Sequence, residues 1–160
     1  MTTQDNINNP TGFTAKLHLD KHISRRFNEE LEQVRALVMN MGALVEEQVN
    51  DGLSAVLNAD EKLAEKVIER DQKVNTMELE IDEYCTQILA RRQPAASDLR
   101  LLVSVIKSIT DLERMGDEAT KIAIHALEVA NGNQAGSKIC HQAIRHMGTA
   151  VVKMISDALD

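Results

Sequence analysis

Leu101–Ala130, with the sequence LLVSVIKSITDLERMGDEATKIAIHALEVA, is patterned as one long amphipathic helix. Leu102, Val105, Ile109, Leu112, Gly116, Ala119, Ile122/Ala123, Ala126 and Ala130 recur every three or four residues, the spacing of a seam packed against other helices. A glycine inside a helix costs about 1 kcal/mol relative to alanine, yet Gly116 sits on the seam itself. Glu113 and Asp117 lie one turn apart on the face beside it. A helix that gives up stability there lets a neighbouring backbone or a bound ion come close. The plainer alternative is a small residue where two helices cross, flanked by solvated acids.

The same periodicity extends upstream and downstream. A first helix is expected from His18–Ser24 to about Leu57, with Phe27, Leu31, Val34, Val38, Met41, Val45, Val49, Leu53 and Val56 on its seam. The consecutive four-residue steps after Met41 make a stutter in that pattern. Asn58-Ala59-Asp60 ends this helix and caps the next, which runs from about Glu61 to Ala90 with Leu63, Val67, Val74, Met77, Ile81, Tyr84 and Ile88 inward. Arg70 takes a seam slot there. Pro94 disfavours a helical conformation at the residue before it, and Ser97-Asp98 is a start signal for the third helix. After the polar break Asn131–Gly136, a fourth stripe follows: Cys140, Ile144, Met147, Val151, Met154 and Ala158.

Composition agrees with an all-α chain. The 160 residues contain no tryptophan, one tyrosine and two phenylalanines, which disfavours a β-sandwich or barrel. Long helices with short connections must fold back on one another. The expected architecture is therefore an elongated antiparallel three-helix bundle followed by one further helix. In residue terms this gives a flexible tail over 1–17, a bundle over 18–131 and an extra helix over 137–160. The fourth helix has no sequence-adjacent partner and must dock elsewhere, dimerise or fray.

A net charge of −7 argues against nucleic-acid binding, which needs clustered lysine and arginine. Cys85 and Cys140 are isolated, without the spacing of a zinc site or a disulfide framework, and read as buried or half-buried thiols in a reducing cytoplasm. No apolar run is long enough to span a membrane and the first residues form no signal peptide. A cytosolic protein is expected, held at a membrane only through partners.

A site can be placed by counting from the turn near Gln93-Pro94, because antiparallel neighbours keep a constant residue sum, here about 187. Glu113 is then level with Val74, between Asp71 and Asn75, and Asp117 is level with Arg70. Two four-spaced polar pairs, Asp71 with Asn75 and Glu113 with Asp117, face each other on one flank. Such an oxygen-rich cluster suits Mg²⁺, Mn²⁺, Fe or Ca²⁺. The alternative is a salt-bridge ladder, Arg70 with Asp117 and Asp71 with Arg114, of small energetic value. Glu78 and Asp82 form a competing pair that no acid faces on the third helix. His18 and His22 have metal-pair spacing but few acids nearby; His125, His141 and His146 show no ligand pattern. No phosphate-binding loop or nucleophile–base pair is present, so no enzyme is expected.

The strings Gln93–Arg100 and Ile109–Asp117, with Val67-Ile68-Glu69-Arg70-Asp71, Val74-Asn75, and His22-Ile23-Ser24 before Phe27, resemble the PhoU family of phosphate-signalling proteins over residues 20–160. The resemblance implies two similar three-helix bundles, each with a pair of acidic four-spaced motifs able to hold metal clusters (Mg, Mn, Fe or Zn). It implies a negative regulator of the phosphate-starvation response and of phosphate uptake, and an adaptor acting as a homodimer. The implied partners are PstB, the ATPase subunit of the phosphate transporter, and the sensor kinase PhoR. The motif pair falls on Asp71 and Asn75, and on Glu113 and Asp117, with Arg70, Arg114 and Gly116 as structural neighbours. Asn75 stands where many members have an acid. The family's second such motif, in a sixth helix, has no counterpart here, so the chain corresponds to the first bundle plus helix four. A metalloenzyme using the cluster, or a purely structural bundle, are the competing functions.

Overall fold

Four helices follow one another in the computed structural model: α1 (Thr11–Asn58), α2 (Glu61–Arg92), α3 (Ala96–Ala130) and α4 (Lys138–Leu159). The structure describes residues 11–131 and 138–159, with side chains over 25–131 and 141–159. Among the described residues there is no strand, as an all-α composition requires. The chain comprises two compact units, Met1–Gln33 and Val34–Asp160. In the first, α1 begins at Thr11, inside the stretch expected to be tail. No proline follows Pro10 until Pro94, and each residue added to a nucleated helix gains a backbone bond.

In the second unit, the remainder of α1 packs with α2 and α3. Met41, Val45, Val67, Val74, Ile81, Leu102 and Ile109 are all 0–1% exposed, and full burial of such a side chain contributes about 1.5–3 kcal/mol. Near the α1–α2 turn the core narrows to Ala55, Ala64, Val67, Ala123 and Ala126. Small residues there let the three backbones converge. The buried positions of α1 correct the stutter: Met41, Val45, Gln48, Gly52 and Ala55 continue the regular three-four seam and are all buried. Val49 is also buried, while Leu53 and Val56 are only half-buried, on a second stripe. Apolarity had masked an unbroken heptad.

The helix ends follow local chemistry. Asp60 accepts the Leu63 N–H at 3.1 Å as the N-cap of α2, which satisfies an otherwise orphaned donor. Ala59 takes the left-handed conformation, φ 51°, to make that turn. α2 extends two residues past Ala90, and Gln93 (φ 47°) closes it by donating to the Leu89 carbonyl. Arg91 and Arg92 lie in this last turn, favourable for the helix dipole. Ser97-Asp98 is not the cap of α3. That role falls to Ala95, which has no side-chain bond, and Ser97 Oγ turns to Asp98 instead.

α4 resolves its missing partner by packing on α1. A β-carbon on Gly148 would run into the Leu53 side chain, and one on Gly42 into Leu159. The two helices are therefore antiparallel. Met147, Val151 and Met154 remain exposed at 46–69%. Between α1, α3 and α4 lies a cavity of about 520 Å³ lined by Val49, Leu53, Ile122, Ile144 and Val151 among others. No helix among the described residues is long and apolar enough to cross a membrane.

Cys85 is fully buried, and burial, followed by the nearby Asp82 charge, pushes its thiol pKa up to about 11. It is expected to resist iodoacetamide at pH 8 in the folded protein and to react once urea unfolds the chain. Replacing Asp60 by alanine should lower stability by about 1 kcal/mol, read from the urea midpoint.

Candidate functional site

The register deduced by counting is the one observed. Glu78 accepts a hydrogen bond from Thr110 Oγ1 at 3.2 Å across α2 and α3, and Asp71 Oδ1 lies 3.6 Å from the point where a β-carbon on Gly116 would stand. Both pairs sum close to the expected value. Asp71, Asn75, Glu113 and Asp117 therefore occupy one depth of the bundle, and Asp71 and Asp117 both act electrostatically on Glu113.

The centre of the site is a residue outside the expected set. Gln48 of α1 is 0% exposed. Its Nε2 donates to Asp71 Oδ1 on α2 (3.2 Å), and to the Gly116 carbonyl (3.2 Å) and Thr120 Oγ1 (3.1 Å) on α3. Asn75 Nδ2 approaches the other carboxylate oxygen, Asp71 Oδ2, at 3.4 Å. Asp71 is thus drawn inward by two amides. Gln48 Oε1 and Asn75 Oδ1 are buried and have no partner, and an unsatisfied buried acceptor costs about 1–3 kcal/mol. Gly116 is explained by the same crowding: an added β-carbon would lie 3.3 Å from Val74 Cγ1, 3.6 Å from Asp71 Oδ1 and 3.7 Å from Gln48 Oε1. What comes close is a set of side chains from two helices, rather than a backbone.

The salt-bridge ladder does not form. Arg70 points to α1, with Asp51 at 2.8 Å and Glu47 at 3.1 Å, and Arg114 pairs loosely with Asp111 of its own helix at 3.8 Å. Arg70 reaches from its seam slot to the α1 acids because its side chain can run over the core and keep its head at the rim. With Arg70 turned away and Arg114 only partly offsetting them, the acids repel. The Glu113 carboxyl is held above its ordinary range, first by desolvation and then by Asp117, Glu78 and Asp71, with Arg114 opposing in part. Glu78 is a further correction, since it stands close enough to Glu113 to matter.

Oxygen donors alone line the cluster: three carboxylates, two amides and a hydroxyl. That chemistry suits a hard cation. The carboxylates are not gathered into a ready-made cage, however, for among the described residues no group of three or more His, Cys, Asp or Glu is arranged to hold a metal. Like-charge repulsion and the inward pull on Asp71 keep them apart. Elsewhere, His125 Nδ1 and Glu128 lie 3.0 Å apart, and His141 and His146 are exposed. The side chains of His18, His22 and Cys140 lie outside the described residues.

Gln48 and Thr120 are invisible to a search for apolar seams or acidic pairs. The signal for Gln48 was positional: it falls three residues after Val45 and seven after Met41, on the seam. Because the Glu113 pKa is raised on folding, its ionisation opposes folding; its stabilising contribution is complete at low pH and is lost as pH rises through the folded value. Glu113→Gln is therefore expected to raise the melting temperature at pH 7, by less than about 3 °C, and to leave it unchanged below about pH 4. An equal rise at both values would trace the effect to something other than charge.

Residues 38–126 match the family model described as the PhoU domain. The chain is 52% identical over 91% of its length to a Pseudomonas putida protein named phosphate-specific transport system accessory protein PhoU homolog, covering 56% of that relative. It is 46% identical over 90% of its length to the PhoU accessory protein of Escherichia coli K12, covering 58% of it. The crystal structure of PhoU from Pseudomonas aeruginosa superposes with a TM-score of 0.80 at 51% identity, over 84% of this chain and 63% of that one. PhoU from Streptococcus pneumoniae gives 0.73 at 34% identity, over 83% and 61%. The chain thus spans under two thirds of the length of these proteins.

Proposed function

This chain belongs to the PhoU family, and from that premise we propose that it is a non-catalytic adaptor of phosphate signalling. In this role it restrains the phosphate-starvation response by coupling the phosphate ABC transporter, through its ATPase subunit PstB, to the sensor kinase PhoR. The observation that carries the proposal is identity of about half over nine tenths of the chain to proteins named for the phosphate-specific transport system. An adaptor needs faces rather than a reaction pocket, and the acid cluster offers no nucleophile–base pair. The proposed setting is the cytosolic side of the transporter, with the chain acting as a homodimer.

Within that role, Asp71, Asn75, Glu113 and Asp117 would hold a hard cation, Mg²⁺ or Mn²⁺ before Zn²⁺, since no nitrogen or sulfur donor is present. Such an ion would relieve the mutual repulsion of the acids, which adds to desolvation in raising the Glu113 pKa, and supply a structural or sensing element. Asn75 contributes a neutral oxygen where an acid would bind more tightly.

Two measurements test this. Immobilised chain should retain PstB and the cytoplasmic region of PhoR from purified mixtures, and retention of neither would end the adaptor proposal. Millimolar Mn²⁺ should raise the melting temperature, as any ligand of the native form must, with a larger rise for Asn75→Asp and none for Glu113→Ala/Asp117→Ala. If that double variant keeps both complexes, the cluster has no part in coupling.

A further inference from the structure

α4 carries more apolar surface than α1 covers. Ile155 is buried and Ile144 half-buried, but Met147, Val151 and Met154, spaced four and three residues apart on one stripe, stay exposed. Beside them lie two cavities: the one described above, and a second of about 650 Å³ that reaches Asp111, Met115, Met154 and Ala158. Val49, Ile122 and Val151 line both, so the two join end to end as one groove between α3 and α4. It runs from Val129 and His141 to Asp111 and Ala158, about 25 Å at the helical rise per residue. Met115, Met147 and Met154 form its lips, and methionine adapts readily to a facing surface.

Charge and shape both indicate what fits this groove. With a net charge of −7, copies of the chain repel unless they meet on a balanced face. The α2–α3 flank, with Asp71, Glu78, Glu113 and Asp117, would oppose itself. Along the groove, Asp111, Glu118 and Glu128 each have a basic side chain of their own helix beside them: Arg114 at 3.8 Å, Lys121 at 2.8 Å and His125 at 3.0 Å. Among the described side chains of α4, Arg145 and Lys153 outnumber Asp157. The shape is self-complementary. Met147 and Met154 stand on either side of Val151, each at its own end of the groove. A twofold axis near Val151 sets Met147 of one copy into the hollow beside Met154 of the other, and the reverse, as an isologous contact requires. A face about 25 Å long and two helices (about 20 Å) wide gives about 1,000 Å² over two copies, the minimum for a specific association. We propose that the α3–α4 groove is the surface through which two copies of this chain pair, α4 against α4 and antiparallel. This rests on the homodimer reading given above and supplies its face.

The test is sedimentation equilibrium of the 160-residue chain over a range of concentrations, with a reductant present. It compares the natural sequence with Met147→Glu/Met154→Glu, Met115→Glu and Leu79→Glu. The natural chain should pass from monomer to dimer as concentration rises. Met147→Glu/Met154→Glu places unpaired charges inside the paired face and should weaken association more than about 100-fold. Both side chains are exposed in the single copy, so its thermal unfolding should change little. Should that variant lose α4, Met115→Glu on α3 decides, and it too should weaken association. Leu79→Glu adds the same charge at an exposed position of α2, which lines neither cavity, and should leave association unchanged. Equal weakening by Leu79→Glu would trace the effect to net charge and overturn the proposal. Undiminished dimerisation in Met147→Glu/Met154→Glu and Met115→Glu would overturn this face and leave the homodimer standing on another. A natural chain that stays monomeric would overturn both, and the groove would then belong to a different occupant.

Discussion

One buried amide sets the alignment of the bundle. The Gln48 Nε2 group reaches α2 and α3 together, and its partners coincide at one level only. Sliding any of the three helices by a turn would strand a donor, a carbonyl or a carboxylate in a dry interior, at a cost of about 1–3 kcal/mol for each group. Apolar side chains tolerate many registers because their contacts are interchangeable. A hydrogen-bonding knot is not, and everything at its depth inherits its precision: the facing of Asp71 with Gly116 and the closeness of Glu113.

The charges around this knot divide between two flanks. On the α1–α2 side Arg70 gathers Glu47 and Asp51, offsetting one of their two negative charges. On the α2–α3 side Glu78, Glu113 and Asp117 stand together with Asp71. Had Arg70 turned the other way, the acids would have been an ordinary ion-pair network. Its engagement with α1 is what leaves the negative charge of the cluster unbalanced.

Much of this was legible in the residue pattern. Helix number, the turns at Asn58–Asp60 and Gln93-Pro94, and the level of Asp71 against Glu113 all followed from periodicity and loop length. The α1 seam failed from Val49 onward because the eye follows apolar residues, whereas the core there is built from glutamine, glycine and alanine. At such positions backbones approach closely, and size and hydrogen bonding outweigh hydrophobicity. The direction of Arg70 was also out of reach. A long cation in a seam slot can serve either neighbour, and only the three-dimensional positions of Glu47 and Asp51 decide. The contact of Glu78 with Thr110 was missed because the register was counted for acids alone.

The pairing of Leu53 with Gly148 and of Leu159 with Gly42 has its own consequence. Two leucines, one from each helix, sit in dimples left by absent side chains, a reciprocal clasp made solely of hydrocarbon. Ionic strength and acidity, which act strongly on the carboxylate flank, have no grip on such a fastening. At these two points the hold of the fourth helix on the first answers to shape rather than to charge.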